Sequence, residues 1–255
     1  MTDVDLLDVQ ARMSLDHRGR VAGLCGITIG VAADGQALWI GADVPDELAH
    51  EITAIVARSP RSSDPADPPP TLDACVRAVE AALGVRTVRH AGPSYVFQTS
   101  APIETGADIV RSDASRGEGL RGANPGNWGT VEWDELLDGR LGPWAMVVAG
   151  GEVVSVCHAP LQMTDRAAEC GVWTRPDSRG RGYAAATASA WAAQLAPSGR
   201  HLFYRTGADN LSSQRVARRL DLRPIGWTWR AAVDADAAGD RVHPLSRQSG
   251  RNDAG

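Results

Sequence analysis

The sequence predicts an α/β (α+β) chain in two parts: a smaller α+β N-terminal domain over residues 1–106 and a denser strand–helix domain over 107–232, followed by a tail over 233–255. Three observations predict it. Apolar residues alternate on both sides of a turn between Leu24 and Ile40, a proline-rich break spans 59–70, and beyond Ala107 strands and helices follow one another closely. With 255 residues of which 43% are hydrophobic, the chain can bury one large core or two smaller ones.

The elements follow in order. Ala33-Asp34-Gly35 can supply positive φ, so the alternation around it predicts a hairpin. Pro45 to Arg58 places Leu48, Ile52 and Ile55 at helical spacing behind an initial proline. Ser59 to Pro70 carries five prolines and three charges and reads as a surface linker. A helix over Leu72–Leu83 ends at Gly84, and Val85 to Gln98 reads as extended. In the second part, Trp144–Ala149 and Glu152–Cys157 form a hairpin, because Gly150-Gly151 suits a tight primed turn. A strand over Ala168–Thr174 stops at Pro176. An alanine-rich helix over Tyr183–Ala196 stops at Pro197-Ser198-Gly199, and a strand His201–Thr206, a helix Asn210–Leu220 and a strand Pro224–Ala232 complete the domain. The tail from Asp234 has no apolar periodicity and is expected to be disordered.

Composition excludes several functions. All 26 basic residues are arginine, so a phosphate loop ending in GK[ST], the ion-pairing lysine of protein kinases and a pyridoxal Schiff base are all ruled out. No apolar run reaches the roughly 20 residues of a membrane span, and Met1–Gln10, with three aspartates, is no secretory signal. Four cysteines without CxxC spacing read as free thiols in a reducing compartment, which makes the expected location cytoplasmic. The first 110 residues carry 8 Arg against 15 acids and residues 111–230 carry 15 against 12. An acidic first part would attract a cationic ligand and a basic second part an anionic one, while the net charge of −5 disfavours nucleic acid.

The stretch that carries chemistry is Arg179-Gly180-Arg181-Gly182-Tyr183-Ala184, between a strand and a helix. Glycines there let the backbone approach an anion, the first helical N–H groups aim at it, and two arginines add fixed charge. This is not the dinucleotide fingerprint, which needs GxGxxG after the first strand of a βαβ unit, so a pyrophosphate-bearing ligand other than NAD is indicated.

At these residues the chain resembles the GNAT superfamily of acyl-CoA-dependent N-acyltransferases. Arg179, Gly182 and Ala184 match its [RQ]xxGx[GA] hallmark after a strand ending in Pro176-Asp177-Ser178. A second likeness follows the next strand, where Asn210-Leu211-Ser212-Ser213 leads into Val216–Leu220, as in the family's Asn-led helix beside the pantetheine arm. The resemblance spans about Ile109 to Ala232 and implies a GNAT-type mixed central sheet with flanking helices. It further implies that an amine attacks the thioester of acetyl-CoA directly in a ternary complex, without a metal. The backbone of Val172, Trp173 and Thr174 would meet the pantetheine, the loop from Arg179 through Gly180, Arg181, Gly182 and Tyr183 to Ala184 the pyrophosphate, and Asn210 and Ser213 the other side.

By the same resemblance Glu169 is the candidate base. Its distance to Arg179 is one residue short of the common family pattern, which would turn a regular strand's side chain to the opposite face unless a β-bulge intervenes. Many relatives carry a tyrosine acid where this chain has Ala217, so Tyr204 or Ser213 would substitute, with Tyr183 a further option. The acceptor is an amine, either a cationic small molecule or a lysine side chain. A non-catalytic acyl-CoA sensor and a protein-interaction module are the alternatives. Trp128, Trp133 and Trp144 read as core or as walls of an acceptor pocket, and the adjacent Cys157 and His158 read as packing.

Overall fold

A computed structural model describes residues 1–22, 25–60, 62–98, 103, 106–114 and 117–234. The expected disordered tail lies outside them apart from Asp234. In chain order the elements are α1 (Asp3–Ala11), β1 (Cys25–Ala32), β2 (Gly35–Ile40), α2 (Asp46–Arg58), α3 (Leu72–Leu83), β3 (Thr87–Val96), β4 (Asp108–Arg111), α4 (Thr130–Leu137), β5 (Trp144–Ala149), β6 (Glu152–His158), β7 (Ala167–Thr174), α5 (Tyr183–Leu195), β8 (His201–Arg205), α6 (Leu211–Arg219) and β9 (Arg223–Val233). Two compact units result. One gathers Met1–Ser94, Thr206–Asn210 and the chain from Pro224, and the other holds Tyr95–Arg205 and Leu211–Arg223.

In the first unit β1 pairs antiparallel with β2 on one side and with β9 on the other, and β3 lies beyond β9. Alternation along β1 sends Ile27, Ile29 and Val31 into a core with Ile52 of α2 and Val76 and Val79 of α3. Helix α1 caps itself, since Thr2 and Asp5 exchange side-chain-to-amide hydrogen bonds. Asp34 of the hairpin turn also accepts the amides of Asp3 and Val4 at 2.6 and 3.0 Å, a carboxylate placed at a helix N-terminus.

The second unit has the strand order β8-β7-β6-β5-β4, antiparallel throughout except for the parallel β7–β8 pair, which makes the sheet mixed. On one face, Ala145, Cys157, Ala168 and Cys170 pack against Ala185, Ala188 and Trp191 of α5 and Ala217 of α6. Small residues on both partners let α5 lie close to the strands. On the other face, α4 and the 3-10 turn Glu118–Ala123 supply Leu120, Trp133, Leu136 and Leu137 against Trp144, Met146 and Val156. Periodicity did not predict α1, α4 or β4. Helix α4 nonetheless carries its signal in the spacing of Trp133, Leu136 and Leu137, all buried.

Candidate active site

Strand β7 changes neighbours half-way along its length. Ala167–Cys170 pair with His201–Tyr204 of β8, and Gly171–Thr174 pair with Ser155–His158 of β6. The parallel ladder therefore ends at Cys170 and Tyr204, and the last four residues of β7 have a strand on one edge only. The amide of Arg175 donates to the Val154 carbonyl at 2.9 Å. By alternation, the backbone groups of Trp173 also turn toward β6, while those of Val172 and Thr174 turn toward the edge that β8 has left. Both ladders of β7 run without a register shift; a shift lies instead between Val147 and Val148 in the β5–β6 pair.

Beyond β7 the 3-10 turn Pro176–Ser178 leads into the glycine loop. Gly180 and Gly182 have φ of +77° and +85°, and Gly182 is the N-cap of α5 without a side chain to cap it. The helix's own bonding starts with the Ala186 amide donating to Gly182 O at 3.1 Å, which leaves the amides of Tyr183, Ala184 and Ala185 at the head of the helix dipole. A Cβ on Gly182 would stand 2.6 Å from Nη1 of Arg219, so the guanidinium at the end of α6 lies directly against the loop. Sequence reasoning missed Arg219, because its place depends on how α6 docks. Arg179 donates Nε to the Thr174 carbonyl at 3.3 Å, and Arg181 is exposed.

The candidate acid–base groups fall on two faces of the same sheet. Tyr204 and Ser213 come together, Oη to Oγ 2.6 Å, on the α5 and α6 side, and burial pushes the Tyr204 phenol well above its ordinary value. Glu169 stands across from Phe203, one residue out of step with Tyr204, and so faces the opposite side. It is 6% exposed and accepts a hydrogen bond from Arg205 Nη2 at 3.2 Å. Asn210 immediately precedes α6, and its amide donates to Gly207 O at 3.2 Å.

Of the three tryptophans, Trp133 and Trp144 are core, 1% and 0% exposed. Trp128 is half-buried and meets Trp173 edge-on, with ring centroids 5.6 Å apart. His158 lies at 6.2 Å from the same ring, and burial pushes it down to about 4, so the imidazole is neutral at physiological pH. Cys75, Cys157 and Cys170 are free thiols, and burial raises Cys75 and Cys157, leaving them poor nucleophiles. Among the described residues no group of three or more His, Cys, Asp or Glu could hold a metal ion, and no helix is long and apolar enough to cross a membrane. A cavity of about 190 Å³ lined by Phe97, Ile103, Ser189, His201 and Leu220 opens at the start of β8, the end of the strand away from Tyr204.

This arrangement can be set beside known proteins. Residues 118–223, which include the loop, both faces of β7 and α6, match the family model of the acetyltransferase (GNAT) domain. That stretch is similar to a GNAT acetyltransferase domain. Similar solved structures include a GCN5-related N-acetyltransferase from Kribbella flavida, 14% identical over 91% of this chain and 96% of that one, with a TM-score of 0.48. A tandem GNAT protein from the clavulanic acid biosynthesis pathway is 14% identical over 77% and 73%, with a TM-score of 0.49. A GCN5-related N-acetyltransferase-like protein from Streptococcus suis 89/1591 is 19% identical over 63% and 68%, with a TM-score of 0.45. No curated protein matches the chain.

Proposed function

We propose that the GNAT domain transfers acetyl from acetyl-CoA to a primary amine by direct attack within a ternary complex. The observation that carries this reading is the end of the β7–β8 ladder at Cys170 and Tyr204, with Val172 and Thr174 turned to the opened edge and the uncapped head of α5 just beyond. An extended pantetheine arm with two amides fits a strand edge that has no neighbouring strand, and a diphosphate fits first-turn amides flanked by Arg181 and Arg219.

The chemistry follows from the two faces. The amine nitrogen attacks the thioester carbonyl carbon, the N–C bond forms, and the C–S bond breaks. Most amines are protonated at neutral pH, so a proton must leave nitrogen first; Glu169, on the face away from α5, accepts it directly or through water. The leaving thiolate departs beside the other face. There the raised Tyr204 phenol keeps its proton and gives the sulfur a hydrogen bond, while Ser213 occupies its other side. The nitrogen loses its second proton to water as the adduct collapses to the amide, and the thiolate leaves without prior protonation, since thiols are acidic relative to amines.

The test is a titration of acetyl-CoA by calorimetry, followed by thiol release across a panel of primary amines. Binding with amine-dependent release is expected. Binding without release from any amine would leave a coenzyme sensor, and no heat at millimolar acetyl-CoA would overturn the reading.

A further inference from the structure

Three hydroxyls that sequence reasoning left unassigned as a group meet beneath the glycine loop. Ser155 of β6 and Thr187 of α5 are both 0% exposed. Ser155 Oγ donates to the Trp173 carbonyl at 3.1 Å and lies 2.8 Å from Thr174 Oγ1 and 3.3 Å from Thr187 Oγ1. Thr187 Oγ1 reaches back along its own helix to the carbonyls of Tyr183 and Ala184, 3.1 Å each.

The proton count fixes the direction of this chain. The three hydroxyls bring three protons, and the surrounding carbonyl acceptors are those of Trp173, Tyr183 and Ala184. With Ser155 donating to Trp173, its two lone pairs accept from Thr174 and Thr187, and Thr187 shares its proton with the carbonyls of the first turn of α5. Every hydroxyl then gives its proton to an acceptor within the group, as sealed polar groups require. The connection has a specific span. One end is Trp173–Thr174, the half of β7 that has lost β8, and the other is Tyr183–Ala184, the turn whose amides head α5.

We propose that Ser155 and Thr187 are positioning residues that fix the distance between the strand edge and the helix head, and so set the affinity for the acyl-CoA donor. The inference rests on the reading above that both ends hold that donor. A hydroxyl in this role changes where the two binding surfaces stand relative to each other and leaves the acid–base groups on β7 and β8 in place. Removing it therefore acts on donor binding and spares the chemical step.

The experiment compares Ser155→Ala and Thr187→Val with the unaltered protein and with Ser155→Thr and Thr187→Ser, which keep a hydroxyl. Calorimetry with CoA is expected to show a roughly five- to tenfold weaker Kd for the first two, the worth of about one hydrogen bond. KM for acetyl-CoA should rise in parallel while kcat at saturating donor changes less than about twofold. Thr187→Ser should recover most of the loss. Faster amide exchange at 183–187 with an unchanged melting temperature would support the same conclusion in either variant, including one that expresses poorly. If the unaltered protein binds CoA and both hydroxyl-free variants bind it equally well, the inference fails alone. If the unaltered protein binds no CoA, the donor reading fails and takes the inference with it.

Discussion

Glu169 and Tyr204 differ by one step of register, and at the scale of single residues that step decides what each can do. Their side chains leave the β7–β8 pair from opposite faces, so the proposed proton acceptor and the proposed hydrogen-bond donor flank the same seam without neutralising each other. Glu169→Gln keeps the shape and the Arg205 contact but removes the proton acceptor. Amine-dependent turnover is expected to fall at least about 100-fold with CoA affinity unchanged, and the pH–rate profile should lose its acidic limb. His158 has a different consequence, felt in stability. Burial holds it at about 4 in the fold, whereas the unfolded chain titrates near the ordinary value of about 6.5. Between those values the unfolded state binds a proton that the folded state refuses, so stability is full above about pH 6.5 and declines as pH falls toward 4. At pH 5 the loss is on the order of 2 kcal/mol. Urea unfolding at pH 7 and pH 5 should show this decline in the unaltered protein and a smaller one in His158→Gln.

At the scale of elements, the glycine loop was legible because everything it needs is local: two positive-φ glycines, a strand end at Pro176 and a helix start at Tyr183 lie within a few residues. Both hairpins, α2, α3, α5, α6 and β9 were legible on the same grounds of period and punctuation. Helix α1 was hidden because aspartates interrupt Leu6, Leu7 and Val9, although Thr2 and Asp5 spell its capping box; β4, at four residues, is too short for a period to show. What no local pattern displays is docking. The Tyr204–Ser213 contact, the Glu169–Arg205 pair and the placing of Arg219 on Gly182 each join residues from separate elements. Arg219 yields the prediction proper to this scale. Arg219→Ala removes a charge-assisted contact to the proposed diphosphate, and Kd for CoA should weaken about tenfold, with dephospho and full-length CoA affected alike. Gly182→Glu adds a Cβ against the guanidinium, strain at φ +85° and a negative charge, and donor binding should be lost in calorimetry.

At the scale of the whole chain, the order of residues and the order of strands disagree. A reading that moves from left to right along the sequence divides it into consecutive stretches, yet β9, near the described end, lies in the first unit between β1 and β3. Its register is closely specified. Ile27 pairs with Ala231 and Val31 with Trp227, and a Cβ on Gly226, whose φ is +136°, would stand 2.3 Å from the Val31 carbonyl oxygen. Hydrophobic alternation alone could not reveal this pairing, because it spans about 200 residues and any strand of suitable pattern would satisfy it. The first unit is thus completed only when the last strand arrives. A chain ended after Leu222 leaves β1 without one of its two neighbours and uncovers the core around Ile27 and Ile29 that Ala231 helps to seal. Such a chain should lose cooperative thermal unfolding and bind a hydrophobic dye, whereas the same truncation supplied with residues 223–234 as a separate peptide should regain protection at the β1 amides. Full cooperativity and no dye binding in the shortened chain would show instead that β1, β2, α2 and α3 suffice on their own.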